Sequence, residues 1–458
     1  MVPYLKRKPA LFLALLFSQV LLIAPQASVA GGLPSLIGEA LIQHPSLRVQ
    51  ASMQAAAKAG VEGAIWQYWP TPSLALERAI TDDPAYRGDH SVITLRLQQP
   101  LWAGGRLSGN LSKANAQTIV AQADLESIRQ QLALRVAQSW SDIAAAQGKV
   151  IAYEQSRDVH ARLLALVERR TREGASAQAD IDLARSRIDG IEADLTSAQA
   201  QRDTAMGKLG LLVGRVVRLD ELGHTTDSRP PEPAAGQEHR LSSAREQSPL
   251  IAKARAQVKI AQADVDIAKA ALSPEVYLRA ERQYGNLYQA NQDPQTRLFV
   301  GLSTVFGGGL SSLSGIDVAR ARQRAAQEDI QTQQLAIDEQ VLGDITLERS
   351  TGMRRSNLER VRLSSNEVYA SWERQFLAGR KQWQDLMNAA REQMQNEVQL
   401  ADTIAAQHLV GWRLSILTQG LDATLQIKGQ LLHQGTVTGA GSEARLPRTS
   451  LVSLRINR

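Results

Sequence analysis

Pro100-Leu101-Trp102-Ala103-Gly104-Gly105 marks a change of period, and the change is written twice. An offset of 204 residues leads to Thr304-Val305-Phe306-Gly307-Gly308-Gly309, which lacks the proline. Before each copy apolar residues alternate, in Ile93, Leu95 and Leu97 and in Leu298, Val300 and Leu302. After each copy the spacing is helical, in Leu125, Ile128, Leu132, Val136, Trp140 and Ile143 and in Ile337, Val341 and Ile345. A strand therefore runs into a helix at both places. Glycine permits the sharp swivel this needs.

The same offset aligns Ala40-Leu-Ile-Gln-His-Pro45 with Ala244-Arg-Glu-Gln-Ser-Pro249, Pro70 with Pro274, and Glu77 with Glu281. The chain is an internal duplication, too long in period for a solenoid. Each copy places two strands before its glycines: 73–80 and 91–102, then 275–284 and 296–306. Such lengths suit tilted membrane strands of about 9–11 residues. One conflict stands in the gapless alignment. The phase of Leu298, Val300 and Leu302 is one residue out from that of Leu95 and Leu97, which calls for a small gap or a bulge.

No proline occurs between Leu101 and Arg229 or between Gln295 and Leu446. Proline costs about 3 kcal/mol inside a helix, so each stretch predicts long helices. Each has one break near its middle, at Gly174 and at Gly379, where glycine suits the residue after a helix end. The reading is two hairpins of very long helices, on the order of 100 Å each way, as in a coiled-coil-like assembly.

The resulting organisation is a signal peptide at 1–30 and a first repeat at 31–223, with a helix, a strand pair at 73–102 and a helical hairpin at 107–215. A Pro-rich linker follows at 224–240, built around Arg229-Pro-Pro-Glu-Pro233. The second repeat covers 241–433, with a helix, a strand pair at 275–306 and a hairpin at 310–430, and a polar tail runs over 434–458. The signal reading rests on Lys6, Arg7 and Lys8, an apolar run over 11–24, and Ser28-Val29-Ala30 as a cleavage site.

Composition removes several functions. There is no cysteine, so disulfides, thiolate chemistry, cysteine metal sites and a lipoprotein anchor are excluded. The net charge of +6 falls to about +3 without the leader. Acids and bases interleave, which argues against a nucleic-acid groove. No His-Glu-x-x-His, Gly-x-Ser-x-Gly or phosphate loop occurs, and the seven histidines are scattered. No enzyme, cofactor or metal site is expected. Four strands cannot close a barrel, and an open edge in lipid leaves backbone groups unpaired. A membrane reading therefore requires several copies, three of which supply twelve strands.

The signal, the duplicated strand–strand–helix–helix order and Pro100-Leu-Trp-Ala-Gly-Gly105 together resemble the TolC-type outer-membrane efflux and secretion channels. The tips Gly174-Ala-Ser-Ala-Gln-Ala-Asp180 and Phe376-Leu-Ala-Gly379-Arg-Lys-Gln-Trp-Gln-Asp385-Leu-Met-Asn388 resemble that family too. The resemblance implies a mainly α fold with a small β part: a trimeric 12-stranded β-barrel in the outer membrane, continued by a 12-helix periplasmic α-barrel with an equatorial belt. It implies a homotrimer in outer-membrane lipid, with a periplasmic adaptor and an inner-membrane ABC transporter or other pump as partners. It also implies strand-to-helix turns at Pro100, Gly104 and Gly105 and at Gly308 and Gly309, a pore constriction at Asp385 and Asn388, where better-known members carry two aspartates, and tip contacts at Asp180, Phe376 and Lys381. The stretch from Gly379 to Glu392 looks most like members serving type I protein secretion, including exporters of large adhesins. Multidrug efflux is the alternative within the family, and a periplasmic adaptor or coiled-coil scaffold is the alternative outside it.

Overall fold

A computed structural model describes residues 32–80, 83–222, 236–304, 308 and 311–425. The expected signal peptide, the Pro-rich 229–233 segment and the 434–458 tail lie outside these residues.

Each half opens with two helices, not one: α1 (Leu33–Gln43) and α2 (Pro45–Trp66), then α5 (Gln237–Gln247) and α6 (Pro249–Ala270). The split falls where Pro45 and Pro249 stand as the first residue of a new helix, because proline suits that position and cannot continue the preceding one. His44 and Ser248 cap the new helices, with side chains accepting from the Ser46 and Ile251 N–H groups. Residues 237–240, expected in the linker, are the first turn of α5.

Four strands follow as two hairpins: β1 (Thr71–Arg78), β2 (Ser91–Trp102), β3 (Glu275–Tyr284) and β4 (Gln295–Ser303). They form one antiparallel sheet in the order β1-β2-β3-β4, so the two halves of the chain join through the β2–β3 pair. The first strand begins and ends two residues earlier than expected, and β4 stops at Ser303.

The pairing resolves the phase conflict. Leu74 pairs with Leu95, but its counterpart Leu278 pairs with Val300, one residue farther along the alignment. The second hairpin carries one extra residue, and the first recovers it at a bulge between Pro100 and Trp102. With this register all the alternating residues share one face: Leu74 and Leu76, Ile93, Leu95 and Leu97, Leu278 and Ala280, Leu298, Val300 and Leu302. Leu74 and Val300 on that face are 69% and 74% exposed. The other face carries Thr94, Arg96, Gln98, Arg279, Glu281, Gln283 and Arg297.

The helical part departs from two equal long helices per hairpin. Helix α3 (Arg106–Arg172) has 67 residues, but its partner α4 (Gln178–Val213) has 36. Likewise α7 (Ser311–Leu377) has 67 and α8 (Trp383–Gln419) has 37. The short helices stop at Gly214 (φ 85°) and Gly420 (φ 83°), and only a four-residue helix, α9 (Leu421–Thr424), follows before 425. The hairpins expected to run to 215 and 430 thus end their second helices near 213 and 419.

Helices α2 and α6 supply the missing length. Near the sheet the lateral order is α2, α3, α6, α7; near the tips it is α4, α3, α8, α7. Lys113 and Asp264 at 2.8 Å, and Asp124 and Lys253 at 2.8 Å, join α3 to α6. Four helices therefore stand side by side at either level.

The largest core lies midway. Leu33, Leu36 and Ile37 of α1 pack on Val136, Trp140 and Ile143 of α3, on Leu209 and Val213 of α4, and on Trp412 and Ile416 of α8. Among the described residues no helix is long and apolar enough to cross a membrane.

Candidate functional site

At the tips, both turns are closed by the same backbone pattern. Ala175 N–H donates to Arg170 O at 2.8 Å and Gly174 N–H to Thr171 O at 3.0 Å; Arg380 and Gly379 repeat this onto Gln375 and Phe376. This is a Schellman motif, and its αL residue is glycine because φ is 75° at Gly174 and 70° at Gly379.

A small apolar core holds the two tips together within one chain. Phe376, Trp383, Leu386, Met387 and Ala390 pack on Leu163, Val167, Ile181 and Ala184. Phe376 is a buried anchor in this core, 3% exposed. Arg170 was not singled out in the sequence. Its Nη1 donates to Phe376 O at 3.0 Å and its guanidinium carbon lies 4.6 Å from the Phe376 ring centroid. That contact spans 206 residues, and no local pattern around Arg170 announces it.

The polar tip residues divide into two groups. Lys381 Nζ lies 3.4 Å from Asp385 Oδ2, one helical turn away, and 4.0 Å from the Trp372 ring centroid. The residue expected to hold the tips and the one expected to line the pore therefore form one ion pair. Asn388 is exposed and lies one turn beyond Asp385 on α8, on the same side of the helix. Asp180 stands apart in the first turn of α4, where its carboxylate accepts from Ala177 N–H at 3.3 Å and caps the helix. The Trp383 ring N–H is buried without a partner among the described residues, which costs about 1–3 kcal/mol. Farther up α3, His160 is buried with Nδ1 2.8 Å from Ser156 O. Burial pushes its pKa below the usual imidazole range, Arg187 adds to this, and the bond to Ser156 opposes it.

At the other end, Gly104 (φ 59°) and Gly105 (φ 96°) turn β2 into α3. A side chain at Gly104 would collide with Ser273. Pro100 stands beside the bulge, and Arg106 Nη2 meets Glu275 Oε1 at 2.9 Å, fixing the start of α3 to the start of β3. Gly308 has open space where a side chain would stand, and Gly309 lies outside the described residues. Among the described residues no cluster of His, Asp and Glu has metal-ligand geometry.

Residues 36–215 match the family model described as outer membrane efflux protein. The chain is 28% identical over 228 residues to the cobalt-zinc-cadmium resistance protein CzcC of Cupriavidus metallidurans. That match covers 49% of this chain and 53% of CzcC, so the chain spans about half the length of the curated relative it matches. Its fold superposes on CusC with a TM-score of 0.74 at 18% identity, covering 84% of this chain and 91% of CusC. It superposes on the outer membrane protein VceC of Vibrio cholerae with a TM-score of 0.72 at 17% identity, covering 85% and 96%. The fold is that of the TolC-type channels. The chain belongs in the bacterial outer membrane, with its helices reaching into the periplasm.

Proposed function

We propose that the chain is the outer-membrane subunit of an export system, a passive duct that works as a homotrimer and performs no catalysis. The observation that carries this reading is the sheet. It is apolar on one face and polar on the other, and β1 and β4 each leave an edge unpaired. Bare edges are not tolerated in hydrocarbon. Joining β4 of one copy to β1 of the next closes twelve strands from three copies, with the polar face on the lumen. The same joint sets four helices per copy side by side into a twelve-helix tunnel. The loops at 79–90 and 285–294 then face outside and the helical tips face the periplasm. There a periplasmic adaptor and an inner-membrane pump, an ABC transporter or another type, supply the energy.

For the cargo, the likeness to a cobalt-zinc-cadmium resistance protein supports small solutes, divalent metal cations first. Type I secretion of a large protein is the second reading, and it rests on the Gly379 to Glu392 tip.

Mass measurement of the detergent-extracted protein should give three chains per particle, and planar bilayers should show small, mostly closed conductances. A stable monomer with full helical content would sink the duct. Deletion of the gene should lower tolerance to cobalt, zinc or cadmium; unchanged tolerance with loss of a secreted protein would move the cargo to the second reading.

A further inference from the structure

On the inward face of the sheet the arginines of β2 and β3 share a carboxylate. Arg96 Nε lies 3.5 Å and Arg279 Nε 3.6 Å from Glu281. Arg282, on the opposite face of β3, has no carboxylate partner among the described residues. It is exposed, its cross-strand neighbours are Leu95 and Thr296, and its guanidinium carbon lies 5.3 Å from the Tyr284 ring centroid. An unpaired cation on a lipid-facing surface is unfavourable by an amount that falls toward the interface. Arg282 lies two residues from the outer end of β3, about 7 Å along the strand, which is headgroup depth.

Beside it the surface is hollow. Ala280 is small, and a groove of about 490 Å³ opens among Pro72, Leu74, Leu95, Leu97 and Ala280, with Arg282 and Thr296 at one side of it, in the same cross-strand row as Leu74 and Leu95. The ion-paired Arg96 and Glu281 border it from the other face of the sheet, so the charge on the groove's own face is that of Arg282. An acyl chain fits the walls, and a phosphate fits a guanidinium with a hydroxyl beside it.

We propose that this groove seats an acyl chain of a phosphate-bearing lipid of the outer leaflet, with the phosphate held by the Arg282 guanidinium and the Thr296 hydroxyl. The proposal rests on the reading of the sheet as part of a lipid-facing barrel. Bound lipid would fix the height of the barrel in the membrane and neutralise Arg282.

The test is native mass spectrometry of the detergent-extracted protein after incubation with lipid A, either phosphorylated or dephosphorylated. Wild type should retain the phosphorylated form about tenfold better, the scale of one charge-assisted contact. Arg282→Gln should abolish the preference, Arg282→Lys should keep part of it, and Arg279→Gln on the inward face should leave it unchanged. Equal retention of both lipids by wild type, a preference that survives in Arg282→Gln, or displacement of the lipid by millimolar inorganic phosphate would each overturn the proposal. Trimers that form normally but show no preference overturn this proposal alone. Absence of trimers overturns the duct reading and this proposal with it.

Discussion

Helices α3 and α7 are copies of one another at 67 residues each, yet α3 buries 20 of its residues and α7 only 8. The difference comes from where each stands. Helix α3 is flanked on both sides at either level, by α2 and α6 and then by α4 and α8, whereas α7 has neighbours on one side only. Its open side carries exposed apolar residues among charged ones: Leu335, Leu342 and Met353, on one helical face, are 69%, 38% and 60% exposed. Duplication copied the local structure and left the burial to be decided by position. Exposed apolar residues at this spacing on an edge helix are what a second copy would cover.

The strongest test of the contrast is a pair of variants. Trp140→Ala on α3, 2% exposed in the central core, should destabilise the protomer by about 3–5 kcal/mol, read as a lower unfolding midpoint in detergent. Leu335→Glu with Met353→Glu on α7 should leave the helical circular dichroism of the chain intact and abolish the trimer. Trimers that survive the α7 change would show that its open face is not the joint.

Next is the charge that α7 does bury. Asp344 is 4% exposed at its side chain and is held by both guanidinium arms of Arg413, one of them at 2.8 Å. Arg413→Ala strands a buried carboxylate and should cost about 3 kcal/mol. If the midpoint falls no more than for a surface substitution, the pair carries little.

A smaller effect separates the helices by pH. The folded-state pKa of His160 on α3 is lowered by burial. Its neutral form is thus favoured by folding, and this stability is fully present above the unfolded pKa of about 6.5. It is lost as pH falls from there toward the lowered folded value, by at most about 1.4 kcal/mol per pH unit. His160→Gln should flatten that dependence, and an unchanged pH profile would assign it elsewhere.

The smallest effects are at the tips, where the ends of α3 and α7 meet. Arg170→Ala removes the bond to Phe376 O and should raise open probability in single-channel recordings. If the proposed trimer gathers three Asp385 side chains around the mouth, Asp385→Ala should weaken block by divalent cations from the periplasmic side, and Asn388→Asp should strengthen it. Lys381→Ala should both loosen the tip and strengthen block, since it frees Asp385 from its ion pair, an exposed pair worth under about 1 kcal/mol. Asp180→Ala should do little beyond fraying the start of α4. Block that is indifferent to Asp385, Asn388 and Lys381 would return these residues to the role of solvated helix ends.

The duplication, the two periods and the places where they meet were all readable along the chain. So were Gly174 and Gly379, since a Schellman turn is built from residues within one helical turn of the glycine. Strand existence was readable too, but the alignment alone left open whether a gap or a bulge displaced Leu298, Val300 and Leu302. Arg170 was invisible because its partner is a backbone carbonyl in the other half of the chain. Phe376 was read as a tip contact only through the family resemblance, because an aromatic residue at a helix end gives no local sign of which helices will close over it.

What the sequence determined by itself is therefore what local physics can set. Proline cannot enter a helix interior, glycine takes positive φ, and alternation fixes which side chains share a strand face. Tertiary structure decided the rest: the joining of the two halves through β2 and β3, the bulge that puts both copies' apolar residues on one face, and the bond from Arg170 to the Phe376 carbonyl. It also decided which of two duplicated helices lies inside. These outcomes depend on contacts between segments far apart in the chain, whose geometry exists only once the layers are stacked, and the same 67-residue helix is core in one layer position and open edge in another.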